Sequence, residues 1–222
     1  MSALPEPYLP MYTDADPYPL IVLEGTSGIG KSTLACRLAE RLDATTLHTL
    51  STPQVEWTSS VNDRLRSLPQ FAFYLSGVLH TSDRIRQARA HGPVVADRYV
   101  SSVIACHAAV HRVPVDAVTE LRRPFRQYLT VPTRTYYLSC STAALRRRLA
   151  TKTDVNKDDT DLLTVPDRLP RLLDNFARVA EDDVTAVWLD TDDQSPEQLA
   201  DQIATDLERT LAKPHRHRRR HP

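Results

Sequence analysis

The fold is decided by the stretch Gly25-Thr26-Ser27-Gly28-Ile29-Gly30-Lys31-Ser32, which matches the pattern GxxxxGK[ST]. An apolar run over residues 20–23 precedes it, and a helical pattern over residues 33–42 follows it. Three of the five glycines of the chain fall within this stretch. A strand, a glycine-rich turn and a helix in this order form a phosphate-binding loop, in which backbone N–H groups and the positive end of the helix dipole face a phosphate.

The side chains of this loop predict how a nucleotide is bound. Lys31 is placed to reach the β- and γ-phosphates, and the Ser32 hydroxyl suits a Mg²⁺ ion bound to those phosphates. A turn whose glycines serve geometry alone would not need Lys and Ser at these offsets. We therefore expect the nucleotide to be bound by Gly25, Thr26, Ser27, Gly28, Ile29, Gly30, Lys31, Ser32 and Thr33.

Short apolar runs alternate with helical stretches along the rest of the chain. Strands separated by helices long enough for crossovers predict a parallel sheet with helices on both faces. Ligands of such sheets bind at the carboxyl ends of the strands. We predict an α/β fold of the P-loop NTPase type with a lid segment and a five-stranded parallel sheet, whose strands lie in residues 20–23, 45–50, 94–96, 134–140 and 185–189.

The length of 222 residues and the hydrophobic share of 41% suit one α/β domain. We predict an irregular N-terminal arm over residues 1–19, the domain over 20–211 and a basic tail over 212–222. The tail is expected to be solvated, or else to contact nucleic acid, an acidic partner or phosphate. The proline-rich arm lacks the apolar run of a secretory signal, and no run reaches the roughly eighteen apolar residues of a membrane span.

The charge balance argues against a nucleic-acid partner. The 28 Lys and Arg residues are matched by 28 Asp and Glu residues, so the chain has no bulk positive charge to hold a nucleic-acid backbone. Cys36, Cys106 and Cys140 are odd in number and widely separated, unlike a zinc site or a disulfide framework. These features predict a protein of the reducing cytoplasm.

A second motif, Asp97-Arg98-Tyr99, follows the apolar run at residues 94–96 and places a carboxylate where it can hold Mg²⁺ beside the phosphates. With this motif the chain resembles thymidylate kinases and their deoxynucleoside kinase relatives over about residues 20–211. The resemblance is carried by Leu23-Glu24-Gly25, by Asp97-Arg98-Tyr99 followed by Ser101 or Ser102 and Ala105, and by Leu189-Asp190 before Gln194-Ser195-Pro196-Glu197.

The resemblance implies an ATP-dependent phosphotransferase that uses Mg²⁺ and acts on a nucleotide or nucleotide-like acceptor. It places Asp97 and Arg98 in the acceptor site, where Arg98 grips the acceptor or its phosphate, unless Arg98 forms a structural ion pair. It also implies a lid over about residues 151–164 and a possible homodimer.

Arg148 and Lys152 share a predicted helix face, and related kinases use such a basic pair at the lid. A solvated basic face is the alternative. The expected catalytic residues are Lys31, Asp97, Arg98, Arg148 and Lys152.

The predicted acceptor site departs from the family pattern at two positions. In thymidylate kinases a Phe stacks on the base and an Arg four residues later takes the acceptor phosphate, but here Phe73 is followed by Gly77. The usual Arg-Glu-Pro after the second strand is replaced by Ser51-Thr52-Pro53. The acceptor could therefore be a nucleoside or another hydroxyl compound, unless Arg64, Arg66 or Arg84 supplies the missing charge. The expected substrate-binding residues are Phe73, Gly77, Arg98 and Tyr99.

Two further questions stay open from the sequence. A hydroxyl acceptor benefits from a base, for which Asp97 is best placed, with Glu56, Asp63 and His80 as other candidates. The segment Asn156-Lys157-Asp158-Asp159 matches the NKxD pattern of small GTPases, which leaves a nucleotide-driven switch as a second class of function. Here the pattern follows a charged segment and not a strand, which favours the kinase.

Overall fold

A computed structural model describes residues 6, 9, 18–155 and 157–212. It contains a five-stranded, fully parallel sheet in the order β2-β3-β1-β4-β5. The strands are β1 Leu20–Glu24, β2 Thr45–His48, β3 Val94–Asp97, β4 Arg134–Ser139 and β5 Ala186–Asp190. The helices are α1 Lys31–Leu42, α2 Gln54–Arg64, α3 Ser67–Arg89, α4 Val100–His111, α5 Val115–Arg122, α6 Thr142–Thr151, α7 Lys157–Thr164, α8 Arg168–Glu181 and α9 Pro196–Leu211, with a 3₁₀ helix at Arg123–Tyr128.

Both faces of the sheet are covered by helices, which confirms the predicted fold class. Every residue of β1 and β3 is buried, as expected for strands that carry apolar side chains on both faces. Leu20 and Val22 pack towards α3 and α4, whereas Ile21 and Leu23 pack towards α1 and α9. A third apolar cluster surrounds Tyr137 between α4, α6 and α8.

The observed strand bounds differ from the predicted ones by one residue at most, except for β2. Strand β2 ends at His48 and not at residue 50, because the chain turns there and α3 binds its carbonyl groups: Thr81 Oγ1 donates to the carbonyl oxygens of His48 at 3.2 Å and Thr49 at 3.0 Å. The predicted lid contains a helix, α7, whose Leu162 is buried. The predicted arm and tail lie almost wholly outside the described residues. No described helix is long and apolar enough to cross a membrane.

Candidate active site

The phosphate-binding loop depends on glycines in the left-handed region. Gly28 has a φ of 78° and Gly30 a φ of 104°, conformations that side-chain-bearing residues rarely adopt. A Cβ atom on Gly28 would lie 2.5 Å from Cδ2 of Leu149, so any other residue would also force the Leu149 side chain to move. Gly30 is the N-cap of α1 and no side chain caps that helix. The N–H groups of its first turn are therefore oriented for a phosphate.

Lys31 is buried at the base of this loop, with 5% of its surface exposed. Its Nζ atom donates a hydrogen bond to the carbonyl oxygen of Thr26. Burial, with a smaller contribution from the positive charge of Arg98, lowers the pKa of Lys31 to about 7, and Asp97 opposes this shift. A bound phosphate would favour the charged form. The loop thus holds a lysine whose charge is best stabilised when an anion is present.

Ser32 and Asp97 meet at the carboxyl ends of the strands. The Ser32 hydroxyl donates to Asp97 Oδ2 at 2.5 Å. The other carboxylate oxygen, Oδ1, is buried and has no hydrogen-bond partner among the described residues. A hydroxyl beside a carboxylate with an unsatisfied oxygen provides the oxygen ligands that Mg²⁺ prefers, and Mg²⁺ usually takes only one or two protein ligands beside substrate phosphates. The pair therefore fits a phosphate-bound Mg²⁺.

Arg98 adopts an unusual backbone conformation next to this pair. Its φ is 68°, and its N–H donates to the Leu23 carbonyl oxygen at 3.0 Å. The guanidinium Nη1 donates to the Gly25 carbonyl oxygen at 3.1 Å and to Ser102 Oγ at 3.2 Å. These oxygens are neutral, and no salt bridge of Arg98 is found in the described part of the chain. The alternative of a structural ion pair is thus not supported, and the Arg98 charge lies beside the phosphate loop.

Glu24 holds the Asp97-Arg98-Tyr99 segment in place. It is fully buried, and its Oε1 accepts hydrogen bonds from the N–H groups of Tyr99 at 3.0 Å and Ser102 at 3.2 Å. The Ser102 hydroxyl donates to Oε2. Burial raises the pKa of Glu24, while these bonds and the charge of Arg98 lower it. Glu24 therefore has a positioning role that the resemblance does not imply, and the signal for it in the sequence is a carboxylate at the end of an apolar strand.

Tyr99 does not face the cleft at the carboxyl ends of the strands, where Lys31, Ser32 and Asp97 lie. Only 2% of its surface is exposed. Its hydroxyl lies 2.8 Å from Ser82 Oγ and accepts a hydrogen bond from the Thr130 N–H at 3.0 Å. This placement corrects the prediction that Tyr99 binds substrate. The residue next to Arg98 points into the core because the backbone reverses the direction of successive side chains there.

Arg148 joins α6 to the phosphate loop and to the segment after β5. Its Nη1 donates to the Ile29 carbonyl oxygen at 3.1 Å and to Thr191 Oγ1 at 2.8 Å, and its Nη2 donates to the Thr191 carbonyl oxygen at 2.7 Å. The alternative of a solvated Arg148 is therefore not supported. The guanidinium is held at the edge of the nucleotide-binding loop.

Lys152 takes a different direction from Arg148 because α6 ends at Thr151. Its Nζ lies 2.6 Å from Asp159 Oδ2, and the Asp159 side chain is only 2% exposed. The structure therefore separates the two cations that the helix pattern had placed on one face. Lys152 supports the lid helix α7 and does not present its charge to the phosphates.

The lid helix is also tied to the opposite side of the cleft. Asn62 of α2 donates through Nδ2 to Asp158 Oδ2 at 3.3 Å. The Asn62 side-chain oxygen accepts hydrogen bonds from Gln70 Nε2 and the Tyr74 hydroxyl, each at 2.8 Å. Tyr74 neighbours Phe73 on α3. These contacts connect the lid to the helix that carries the predicted base-stacking residue. Asp158 itself lies in the helix α7. In small GTPases the NKxD motif follows a strand, so this match does not have the structural context of a GTPase.

The sequence analysis did not identify His48, the last residue of β2. His48 is the register partner of Asp97, so the two side chains emerge on the same face of the sheet. Partial burial lowers the pKa of His48, Asp97 raises it and Arg98 lowers it. The charges of Asp97 and Arg98 are thus near enough to His48 to influence its protonation. The sequence gives no signal for His48, because the apolar pattern does not show that the strand ends there.

Comparison with known proteins identifies the family. Residues 23–203 match the family model described as thymidylate kinase. The chain belongs to the thymidylate kinase family. Among solved structures, it is similar to thymidylate kinase from Candida albicans, with 18% identity, a TM-score of 0.72 and coverage of 87% of this chain and 92% of that one. It is also similar to deoxyadenosine kinase from M. mycoides, with 18% identity, a TM-score of 0.63 and coverage of 86% and 99%. No significant match was found among curated proteins.

Membership of the thymidylate kinase family makes Gly77 informative. A Cβ atom on Gly77 would lie 2.4 Å from Leu50 Cδ2 and 3.1 Å from the Thr49 carbonyl oxygen. The segment after β2 therefore packs directly on α3 here, and a larger residue at this position would require the Leu50 side chain to move. Gly77 is therefore a packing residue, which corrects its prediction as a substrate contact. Phe73 is half-buried, with its ring 5.4 Å from that of Tyr74 in an edge-to-face arrangement.

The other candidate bases lie apart from the Ser32–Asp97 pair. Glu56 and Asp63 are exposed on α2, and His80 is exposed on α3. None of the three hydrogen-bonds to Ser32 or Asp97 in the described structure. Asp97 remains the carboxylate that the fold brings to the phosphate loop.

Proposed function

We propose that this P-loop kinase transfers the γ-phosphoryl group of ATP, bound with Mg²⁺, to a nucleotide or nucleoside-like acceptor. The observation that carries the proposal is the Ser32–Asp97 pair at 2.5 Å, placed next to a buried lysine at the start of α1. Family membership establishes a nucleotide or nucleoside phosphotransferase. The choice of ATP follows the general usage of the family.

Each residue of the site has a distinct proposed task. Lys31 holds the β- and γ-phosphates, and Ser32 with Asp97 holds the metal. Mg²⁺, when bound, neutralises charge on the phosphates and orients them. Arg98, fixed by Gly25 and Ser102, binds the acceptor side of the transferring group, while Arg148 covers the nucleotide beside Ile29.

A second candidate acceptor class, hydroxyl compounds such as nucleosides, is favoured by the packing of Gly77. A nucleoside monophosphate carries about two negative charges, and each missing charge-assisted contact forfeits about 1.5 to 3 kcal/mol. This chain has Gly77 packed against Leu50 at one of the two positions and Ser51 at the other, so neither supplies an arginine. The M. mycoides relative, described with products dCMP and dCDP, belongs to a kinase class named for a nucleoside acceptor.

A direct transfer assay tests the proposal. Purified protein is incubated with γ-labelled ATP, Mg²⁺ and a panel of nucleosides and their monophosphates, and labelled products are separated. We expect acceptor-dependent transfer that is lost, by about 100-fold or more, in Lys31→Ala and Asp97→Asn. The exposed Lys157→Ala variant is the matched control and should retain activity. Hydrolysis of ATP without transfer to any acceptor would contradict the proposal.

A further inference from the structure

The order of the strands determines which residues lie on the side of the cleft away from the phosphate loop. The phosphate loop follows β1, Asp97 ends β3 and His48 ends β2, and these strands are neighbours in the sequence β1-β3-β2 across the sheet. Adjacent strands lie about 4.8 Å apart. Going across the sheet from the phosphate loop, Asp97 comes first and His48 second. His48 therefore lies on the side of Asp97 that is away from the loop that would hold the donor nucleotide. In-line transfer places the acceptor oxygen on the side of the γ-phosphorus opposite the donor.

In the described structure, the His48 imidazole makes its hydrogen-bond contacts through Nδ1 alone. Its Nδ1 lies 3.3 Å from the Leu50 backbone nitrogen and 3.4 Å from the Leu50 carbonyl oxygen, and Thr81 fixes the His48 carbonyl. The side chain is partly exposed at the end of the strand. The Leu50 backbone thus fixes Nδ1, and Nε2 has no hydrogen-bond partner in the described part of the chain.

The histidine at this end of the cleft has different hydrogen-bonding chemistry from an arginine that binds a phosphate. A guanidinium can only donate hydrogen bonds and is always charged, whereas an imidazole nitrogen can donate or accept. The Leu50 side chain fills the space beside Gly77. The residue of β2 paired in register with Asp97 is His48, whose imidazole can donate a hydrogen bond to a hydroxyl or accept one from it.

We propose that His48 binds the reacting hydroxyl of a nucleoside acceptor through Nε2. This inference rests on the proposed function and assigns its acceptor class. In the transfer, the hydroxyl oxygen forms a bond to the γ-phosphorus, the bond from that phosphorus to the bridging oxygen of ADP breaks, and the hydroxyl proton is released to solvent. His48 positions the oxygen for this step and has no required role in binding ATP.

The experiment compares full-length His48→Ala, His48→Asn and His48→Gln with wild type. His91→Ala is the matched control, because His91 is exposed and precedes β3, at the amino ends of the strands and away from their carboxyl ends, where the site lies. Values of kcat and KM are measured with Mg²⁺ and ATP for nucleosides and for their monophosphates. Thermal unfolding and the KM for ATP verify that each variant is folded and binds nucleotide.

We expect Ala and Asn at position 48 to lower kcat/KM for nucleosides about 10- to 100-fold, with the KM for ATP within about twofold of wild type. Gln, whose amide reaches further than that of Asn, should recover part of the loss. Unchanged nucleoside kinetics, or a loss confined to ATP or Mg²⁺ dependence or to monophosphates, would overturn the inference while leaving the transfer activity standing. A wild-type enzyme that phosphorylates no acceptor would overturn the proposed function and this inference together.

Discussion

At the scale of single residues, the site contains a buried lysine whose positive charge is poorly stabilised in the nucleotide-free protein. Lys31 is buried and its pKa falls to about 7 from an ordinary value of 10.5. Only the Thr26 carbonyl oxygen accepts a hydrogen bond from Nζ in the described structure. The lysine therefore contributes to phosphate binding at the expense of folding stability.

Replacing Lys31 by methionine should stabilise the nucleotide-free protein. Since the pKa is depressed in the folded state, the unfolded chain binds more protons between pH 7 and 10.5, and wild-type stability rises with pH in that window. The advantage of Lys31→Met should be on the order of a few kcal/mol at pH 7 and should shrink towards pH 10. Urea unfolding of both proteins at several pH values measures this difference. An advantage that does not vary with pH would contradict the assigned shift.

Residue identities were more predictable than side-chain directions. The spacing of Lys31 and Ser32 fixes their place on a helix N-terminus, so the phosphate site follows from the sequence. Tyr99 and Gly77 were misjudged because their environment is set by tertiary contacts with Thr130 and Leu50. His48 was missed because a lone histidine on a short strand carries no motif.

At the scale of elements, the lid is a structured bridge across the cleft. Helix α7 is held to α6 by Lys152–Asp159 and to α2 by Asn62–Asp158. The polar, charged sequence predicts a lid segment but does not predict the helix α7, since single buried residues such as Leu162 give a weak helical pattern. The strands, by contrast, could be predicted because their apolar runs are continuous.

Lys152→Ala should loosen the lid helix. The Asp159 side chain is nearly fully buried and Lys152 is 22% exposed, so removing the cation leaves a poorly compensated carboxylate at a cost of about 1 to 3 kcal/mol. Amide exchange over residues 157–164 should accelerate and turnover should fall about tenfold. Lys157→Ala, whose partner Asp161 forms an exposed pair, should change neither by much. Equal exchange rates in both variants would contradict the supporting role of Lys152.

At the scale of the whole molecule, the strand order sets the layout of the proposed reaction. In that proposal, the phosphate loop after the central β1 holds the donor phosphates, and the ends of β3 and β2 form the acceptor side. Strand existence and a parallel sheet could be predicted from alternating runs, but the order of the strands could not. A homodimer, the cytoplasmic location and the domain boundaries stay predictions.

Deleting residues 213–222 should leave catalysis intact. The basic tract follows α9, which ends at Leu211. Near that end Thr210 contacts Arg134, the first residue of β4, so α9 ends at the amino ends of the strands, whereas the site lies at their carboxyl ends. Steady-state kinetics at moderate salt should agree with wild type within about twofold. A large loss of specific activity would show that the tail contacts the active site or another subunit.

The most direct measurement compares kcat/KM for thymidine monophosphate with the values for unphosphorylated and base-modified analogues under identical Mg²⁺ and ATP. The account predicts transfer from ATP, a poor value for thymidine monophosphate and a higher value for at least one nucleoside or modified nucleotide, because Ser51 and Gly77 provide no arginine for a terminal phosphate. A thymidine monophosphate value of about 10⁵ M⁻¹s⁻¹ or more, above every analogue, would contradict it.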